Sequence, residues 1–506
     1  MPLALTHHVS SAQFSGDSPH FFQRLATTTP ILVLFILITI LLSSLDPVHA
    51  PQHSSIMSSP TSDDTCSAEN STTGSTLSDT DQGETKNHKH YLYINEKDHP
   101  PATPEGVYLD GPEDDVESLE GYCEGGFHPV KIGDSLGESA QYRVLHKLGH
   151  GGYATVWLCR DTQNSRYVAL KIPMARISAD ELEISSQLDC TLPGAEFIAL
   201  PLAHFTFSGP NGTHHVLVLP VLGPRVSPEI WPHMKTNPNV ALRRLACQAA
   251  QAMDFLHRNQ ICHGDFRPGN ILINLASIDH LPETELANLI GPHRVFRVRH
   301  ESDGDLPSSC PPCLVERCSL VGLKDYFTDK IKLIDFGESF LFSSPPKALG
   351  IPDSYKPPEL LIGGSAAPGP CTDLWALGCT LFEVRQQIQL FYMLPTKNDI
   401  IAEIVRLFGK LPDSLWDKWD SRKKFFDDNA QGSRSEIVTL ETFLARKLES
   451  WGSEPGVIWS SLLTPEAERK QLADLIYKLL KYEAAKRYTA AEALEHKWLK
   501  DAMKST

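Results

Sequence analysis

An aspartate and an asparagine stand five positions apart in Cys262-His263-Gly264-Asp265-Phe266-Arg267-Pro268-Gly269-Asn270, directly before the apolar run Ile271-Leu272-Ile273. Phosphoryl transfer from ATP needs a carboxylate beside the attacking hydroxyl and an amide oxygen on a magnesium ion. Asp265 and Asn270 have the types and the spacing for those two tasks. Alone the spacing is only suggestive. It gains weight from Val168-Ala169-Leu170-Lys171 upstream and Lys332-Leu333-Ile334-Asp335-Phe336-Gly337 downstream. A lysine delivered by a strand contacts the α- and β-phosphates, and an aspartate at the end of a buried strand holds the metal that bridges the phosphates. The candidate catalytic set is therefore Asp265, Lys171, Asn270 and Asp335. Within it, Asn270 and Asp335 are the candidate magnesium ligands.

A nucleotide also needs backbone amides over its phosphates. Leu148-Gly149-His150-Gly151-Gly152-Tyr153-Ala154-Thr155-Val156 supplies small residues between two β-prone stretches, and Lys171 follows fifteen residues after Val156. Leu148, Gly149, Gly151, Gly152, Val156, Ala169 and Lys171 are the candidate nucleotide contacts. The lysine needs an acidic partner on a helix, and Glu181 and Glu183 both qualify. With Glu181 as reference, Leu182, Ile184 and Leu188 give the helix a core-facing side, so Glu181 has the better register.

These groups must be carried by two kinds of structure. From Gln141 to about Phe207 β-branched and polar residues alternate around glycine turns, as strands do, with a helical stretch from Arg176 to Leu188. From Val240 the period changes: Leu242, Leu245, Ala246, Ala249, Ala252, Met253 and Leu256 share one helical face. The expectation is an α+β, two-lobed fold with a small β-rich first lobe (142–220) and a larger helical second lobe (221–499). Residues 276–329, polar and Pro-containing, read as an insertion between the catalytic loop and Asp335. Residues 51–118 hold few apolar side chains and read as a disordered linker, because they cannot bury enough surface to offset the entropy of ordering.

The 506 residues carry a net charge of -16, with 41% hydrophobic and 21% charged residues. That balance fits a globular protein and argues against direct nucleic-acid binding, which wants a basic surface. It is compatible with basic protein substrates. Eleven cysteines in so long a chain are no disulfide framework, and reduced thiols in a cytoplasmic or nuclear protein are expected. Cys310, Cys313 and Cys318 have zinc-like spacing, but no fourth ligand stands at a convincing distance in sequence. In the first fifty residues, 31–42 are almost wholly apolar, short for a membrane span. A weak anchor, or an extension upstream of a start at Met57, is expected ahead of a signal peptide. The membrane is a partner only if 31–42 is a real anchor.

At this point the chain resembles the eukaryotic protein kinases from Tyr142 to about Leu499. Pro357-Pro358-Glu359 and Asp373-Leu374-Trp375-Ala376-Leu377-Gly378 extend the resemblance, and by it Arg487 is placed to pair with Glu359. More narrowly, the chain is similar to SR-protein kinases of divergent, fungal character. The lead-in Tyr122-Cys123-Glu124-Gly125-Gly126-Phe127-His128-Pro129-Val130-Lys131-Ile132-Gly133-Asp134 (within 119–141), Thr155-Val156-Trp157-Leu158 and Val221-Leu222-Gly223 carry that likeness. The resemblance implies ATP and Mg2+ as cofactors and serines of Arg/Ser-rich proteins as substrates. It adds the hinge residues Leu219, Val221 and Leu222 to the nucleotide contacts, since Pro220 has no N–H to offer. Gly264 replaces the family's arginine and Arg267 its lysine, and by that resemblance Arg267 joins the candidate catalytic set. The segment from Asp335 to Glu359 is short and lacks threonine. Two other readings compete. One is a small-molecule phosphotransferase of the aminoglycoside or choline kinase type, which usually lacks the glycine loop and the Pro-Pro-Glu segment. The other is a pseudokinase acting as a binding scaffold.

Overall fold

The computed structural model describes Thr103 and residues 106–111, 116–228, 230–302, 304–363, 366–427, 439–445 and 462–504. The apolar segment 31–42 lies outside them. Among the described residues, no helix is long and apolar enough to cross a membrane.

The strands in chain order are β1 (Val107–Asp110), β2 (Ser135–Leu136), β3 (Tyr142–His150), β4 (Ala154–Asp161), β5 (Arg166–Pro173), β6 (Ala203–Gly209) and β7 (Gly212–Pro220). Strands β2 to β7 form an antiparallel sheet of order β2-β3-β4-β5-β7-β6. Val144, Trp157, Leu170, Ile172, Val216 and Val218 bury one face of it. The α-helix that interrupts this run, α1 (Asp180–Ser186), is shorter than the helical stretch read from sequence.

Past the hinge the chain becomes helical. Helix α2 (Pro238–Arg258) is capped by the Asn237 side chain, which accepts from Asn239 N–H, and starts with proline at its first position. Both features favour a helix start. Its apolar face packs on α4 (Pro370–Gln386), whose central residues are buried all round. Around this pair Phe255, Leu256, Phe266, Trp375 and Phe382 build the main core. The short strands β8 (Ile261–Cys262), β9 (Ile271–Leu275), β12 (Phe327–Leu333) and β13 (Phe340–Leu341) lie on this helical body, paired β9 with β12 and β8 with β13.

The stretch 276–329 is more structured than its polar composition indicates. It contains α3 (Glu283–Ile290) and strands β10 (Val295–His300) and β11 (Cys313–Val315). β10 also pairs with β1, Val107 opposite His300 and Leu109 opposite Val298. Residues 107–110 therefore belong to a sheet, not to the disordered linker read over 51–118. The signal was hidden because their partner strand lies nearly two hundred residues downstream, and Val107 and Leu109 are buried completely in a cluster with Val116, Phe127, Val298 and Leu314. The insertion also reaches the first lobe. Asp279 Oδ1 accepts from Tyr167 N–H at 2.8 Å, Leu281 O from Tyr167 OH at 2.8 Å, and Arg143 pairs with Glu283 at 2.5 Å.

Candidate active site

Lys171 comes from β5, where strand alternation turns it out of the sheet core and toward α1. Its Nζ lies 2.5 Å from Glu181 Oε2 and 2.8 Å from Asp335 Oδ1. Glu181 Oε1 in turn accepts from Phe336 N–H at 3.3 Å. Of the two glutamates considered, Glu181 faces the lysine. Burial disfavours the ammonium, yet the carboxylates of Glu181 and Asp335 hold its pKa above the usual lysine value. Withdrawal from water opposes ionisation of Asp335 as well. The Lys171 charge and hydrogen bond outweigh it, and the Asp335 pKa lies below the ordinary carboxylate value. Asp335 sits at φ 67°, a left-handed conformation that Asp tolerates better than most residues. The neighbouring Ile334 N–H is fixed by Asn270 O at 2.9 Å.

The catalytic loop is organised around Asp265. Asn270 Nδ2 donates to Asp265 O at 2.9 Å and to Asp265 Oδ2 at 2.7 Å. This leaves the amide oxygen of Asn270 to accept elsewhere. Arg267 Nε spans both Asp265 oxygens at 3.0 and 3.1 Å. Arg267 thus touches the candidate base directly, while its two Nη groups remain for other partners. Below the loop, Asp373 at the start of α4 accepts from His263 N–H at 2.7 Å and from Gly264 N–H at 3.1 Å.

Gly264 has φ 79°, and a Cβ there would meet Glu338 O at 2.1 Å. No side chain fits without moving the backbone of the neighbouring segment. That segment is instead tied down by its own groups. Ser339 Oγ donates to His263 O at 2.8 Å, Gly350 N–H to Glu338 Oε2 at 2.8 Å, and Phe342 N–H to Gln260 O at 2.9 Å. Arg487 holds Glu359 through two bonds of 2.8 and 2.9 Å.

Leu148, Gly149, Gly151, Gly152 and Val156 lie on or between β3 and β4. Ala169 on β5 is paired with Leu219 on β7, and Val221 and Leu222 follow that strand directly. One buried acid beside the catalytic loop has no motif of its own. Glu383, ten residues after Asp373 on α4, is buried under the catalytic loop. It accepts from Tyr355 OH and, at 3.1 Å, from Ser227 Oγ. Burial raises its pKa. Its sequence signal is one acidic residue in the mainly apolar run 374–384. Of the described cysteines none is bonded to another. Among the described residues, no group of three or more His, Cys, Asp or Glu side chains is placed to hold a metal ion.

Similarity to known proteins bears on this geometry. The family described as Protein kinase domain matches residues 142–281 and 320–499. The chain is 27% identical over 413 residues to the serine/threonine-protein kinase SRPK of Physarum polycephalum, across 76% of this chain and 91% of that one. It is 24% identical over 396 residues to a serine/threonine protein kinase of Aspergillus fumigatus, across 76% and 90%. It is 35% identical over 190 residues to SRSF protein kinase 3 of Mus musculus, across 34% and 33%. With a family match over most of its length and these relatives, the chain belongs to the protein kinase family, as a divergent serine/threonine kinase similar to the SR-protein kinases.

Proposed function

We propose that the chain transfers the γ-phosphoryl group of MgATP to serine hydroxyls of Arg/Ser-rich proteins. The observation that carries this reading is Lys171 held by both Glu181 and Asp335 in the cleft that Asp265 and Asn270 share. Magnesium favours one or two protein oxygens completed by phosphate oxygens, not a full protein cage. The Asp335 carboxylate and the amide oxygen of Asn270 fit that demand. When bound, the ion neutralises charge on the phosphates. Lys171 holds the α- and β-phosphates, the glycine loop covers them, and Leu148, Val156, Ala169, Leu219, Val221 and Leu222 enclose the base. Asp265 orients the serine hydroxyl and accepts its proton. The net charge of -16 suits a basic substrate, and a relative is named for SRSF proteins. A cytoplasmic or nuclear location, where thiols stay reduced, is part of the proposal. A panel of Arg/Ser peptides, acidic peptides and small aminoalcohols tests the reading with the full chain. Arg/Ser peptides are expected to be phosphorylated fastest. A preference for aminoalcohols would replace the proposal with small-molecule phosphotransfer.

Arg267 has a second part. Its Nε steadies Asp265, and we propose that its charge also stabilises the phosphoryl group in transfer. Arg267→Ala is expected to lower kcat at least ~10-fold and leave KM for ATP within about threefold, since the contact is made in the transition state. Arg267→Lys should recover much of the loss. Unchanged kcat in the alanine variant would remove the role.

Activity is expected without phosphorylation of the segment 335–359. Gly264 has no side chain to grip a phosphate, and the segment is fixed by the bonds of Ser339, Glu338 and Tyr355. Ser339, Ser343, Ser344, Ser354 and Tyr355 are its only hydroxyl residues. Bacterially expressed protein, dephosphorylated and checked by mass spectrometry, should be fully active. Activity that appears only after one of those five is phosphorylated would contradict this, and another basic residue would have to read the phosphate.

A further inference from the structure

The strand that enters the glycine loop carries a buried charge that phosphate chemistry does not use. Lys147 is 0% exposed. Its ammonium pairs with Glu117, from the chain ahead of the lead-in. Glu117 also accepts from Tyr122 OH at 2.5 Å. On its other side the ammonium lies 5.6 Å from the centroid of Trp157, its cross-strand neighbour on β4. The backbone of Lys147 is gripped as well: Cys318 N–H, from the insertion, donates to Lys147 O at 2.9 Å. Two segments remote in sequence therefore converge on this one residue.

The strand is irregular at this point. The β3–β4 register shifts between Val144 and His146 and again between Lys147 and Gly149, and His146 and Lys147 are buried in succession. A bulge re-aims a side chain, and here it turns Lys147 toward Glu117. The second shift leaves Leu148 without a cross-strand partner on β4, so the way Lys147 is held sets where Leu148 leaves the strand. Leu148 is half-buried and joins Val221 at the edge of a second apolar cluster. Beyond this root the loop is open. No atom lies within 4 Å of a Cβ built on Gly149, Gly151 or Gly152. A cavity of about 550 Å³ is lined by Gly151 and Gly152 on one side and by Glu117, Gly121 and Phe127 on the other.

We propose that the Glu117–Lys147 pair is the positioning anchor of the nucleotide loop, fixing the register in which Leu148 faces the adenine while the glycine tip stays free to close. The proposal rests on the nucleotide reading given above. An apolar contact at this place would tolerate a slip of the strand. Separating two desolvated charges is far costlier, so the pair specifies one register.

The test uses the full chain with Glu117→Gln, Lys147→Met and both together, reading kcat, KM for ATP, affinity for a fluorescent ATP analogue with magnesium, and thermal melting. Each single variant should raise KM for ATP about tenfold and weaken analogue binding in step, with kcat at saturation within about twofold, the pattern of lost ground-state positioning. The double variant should resemble Lys147→Met alone, because the two side chains act as one unit. If Lys147→Met does not fold, Glu117→Gln decides, since its amide still accepts from Tyr122. Wild-type KM and analogue affinity in the folded variants would overturn the anchor. So would a fall in kcat with KM unchanged. A wild-type protein that binds no analogue would overturn the nucleotide reading, and the anchor with it.

Discussion

Asp265→Asn is expected to lower the phosphorylation rate at least ~100-fold while MgATP affinity stays within about threefold, the scale of lost general-base help. The expectation follows from what Asp265 touches. Asn270 and Arg267 hold both of its oxygens, and neither its position nor its contacts involve the glycine loop or Lys171. An asparagine keeps the shape and one acceptor, and loses the charge and the capacity to take the proton. The backbone of the loop should be undisturbed, because Asp373 holds it through His263 and Gly264 N–H and not through the Asp265 side chain. Steady-state turnover beside direct nucleotide titration separates the two effects. Near-normal turnover would transfer the base role to another group.

Asp335→Asn is expected to be more severe, at least ~1000-fold in turnover, because it removes a charged ligand from the place where transition-state charge is neutralised. It also withdraws one of the two carboxylates that raise the Lys171 pKa. The choice of asparagine matters. At φ 67° a β-branched or bulky residue would add backbone strain, whereas asparagine visits that region readily. The melting temperature should therefore stay within a few degrees, on the order of 3 °C. Activity should also lose its ordinary response to magnesium concentration. A variant as active as the parent, with the same magnesium dependence, would contradict the assignment of Asp335.

The placement of these side chains was legible in the sequence because each is carried by a local motif with its own spacing. Asp265 and Asn270 share one loop, and Asp335 ends one strand. Lys171 follows the glycine loop at a fixed interval. The strand-to-helix change of period after Pro220 was legible for the same reason. What stayed hidden is nonlocal. Val107 and Leu109 look like the end of a polar tail until β10 covers them. Glu117 looks like a solvated acid until Lys147 is turned inward by a bulge that no local pattern announces. Glu383 reads as a charge on a helix until Tyr355, from the segment before Glu359, is placed against it. Gly264 was read as a missing arginine. Its positive φ and the closeness of Glu338 O add that the position has no room for a side chain at all.

The central claim is that these residues transfer phosphate from ATP to a serine. It is tested most directly by incubating the full-length, dephosphorylated protein with magnesium, γ-labelled ATP and an Arg/Ser-repeat peptide, and locating the label by mass spectrometry. The account predicts phosphoserine on the peptide with wild-type protein, and none above background with Asp265→Asn or Asp335→Asn. Equal labelling by all three, or tight MgATP binding by the wild type with no label on any hydroxyl, would contradict it.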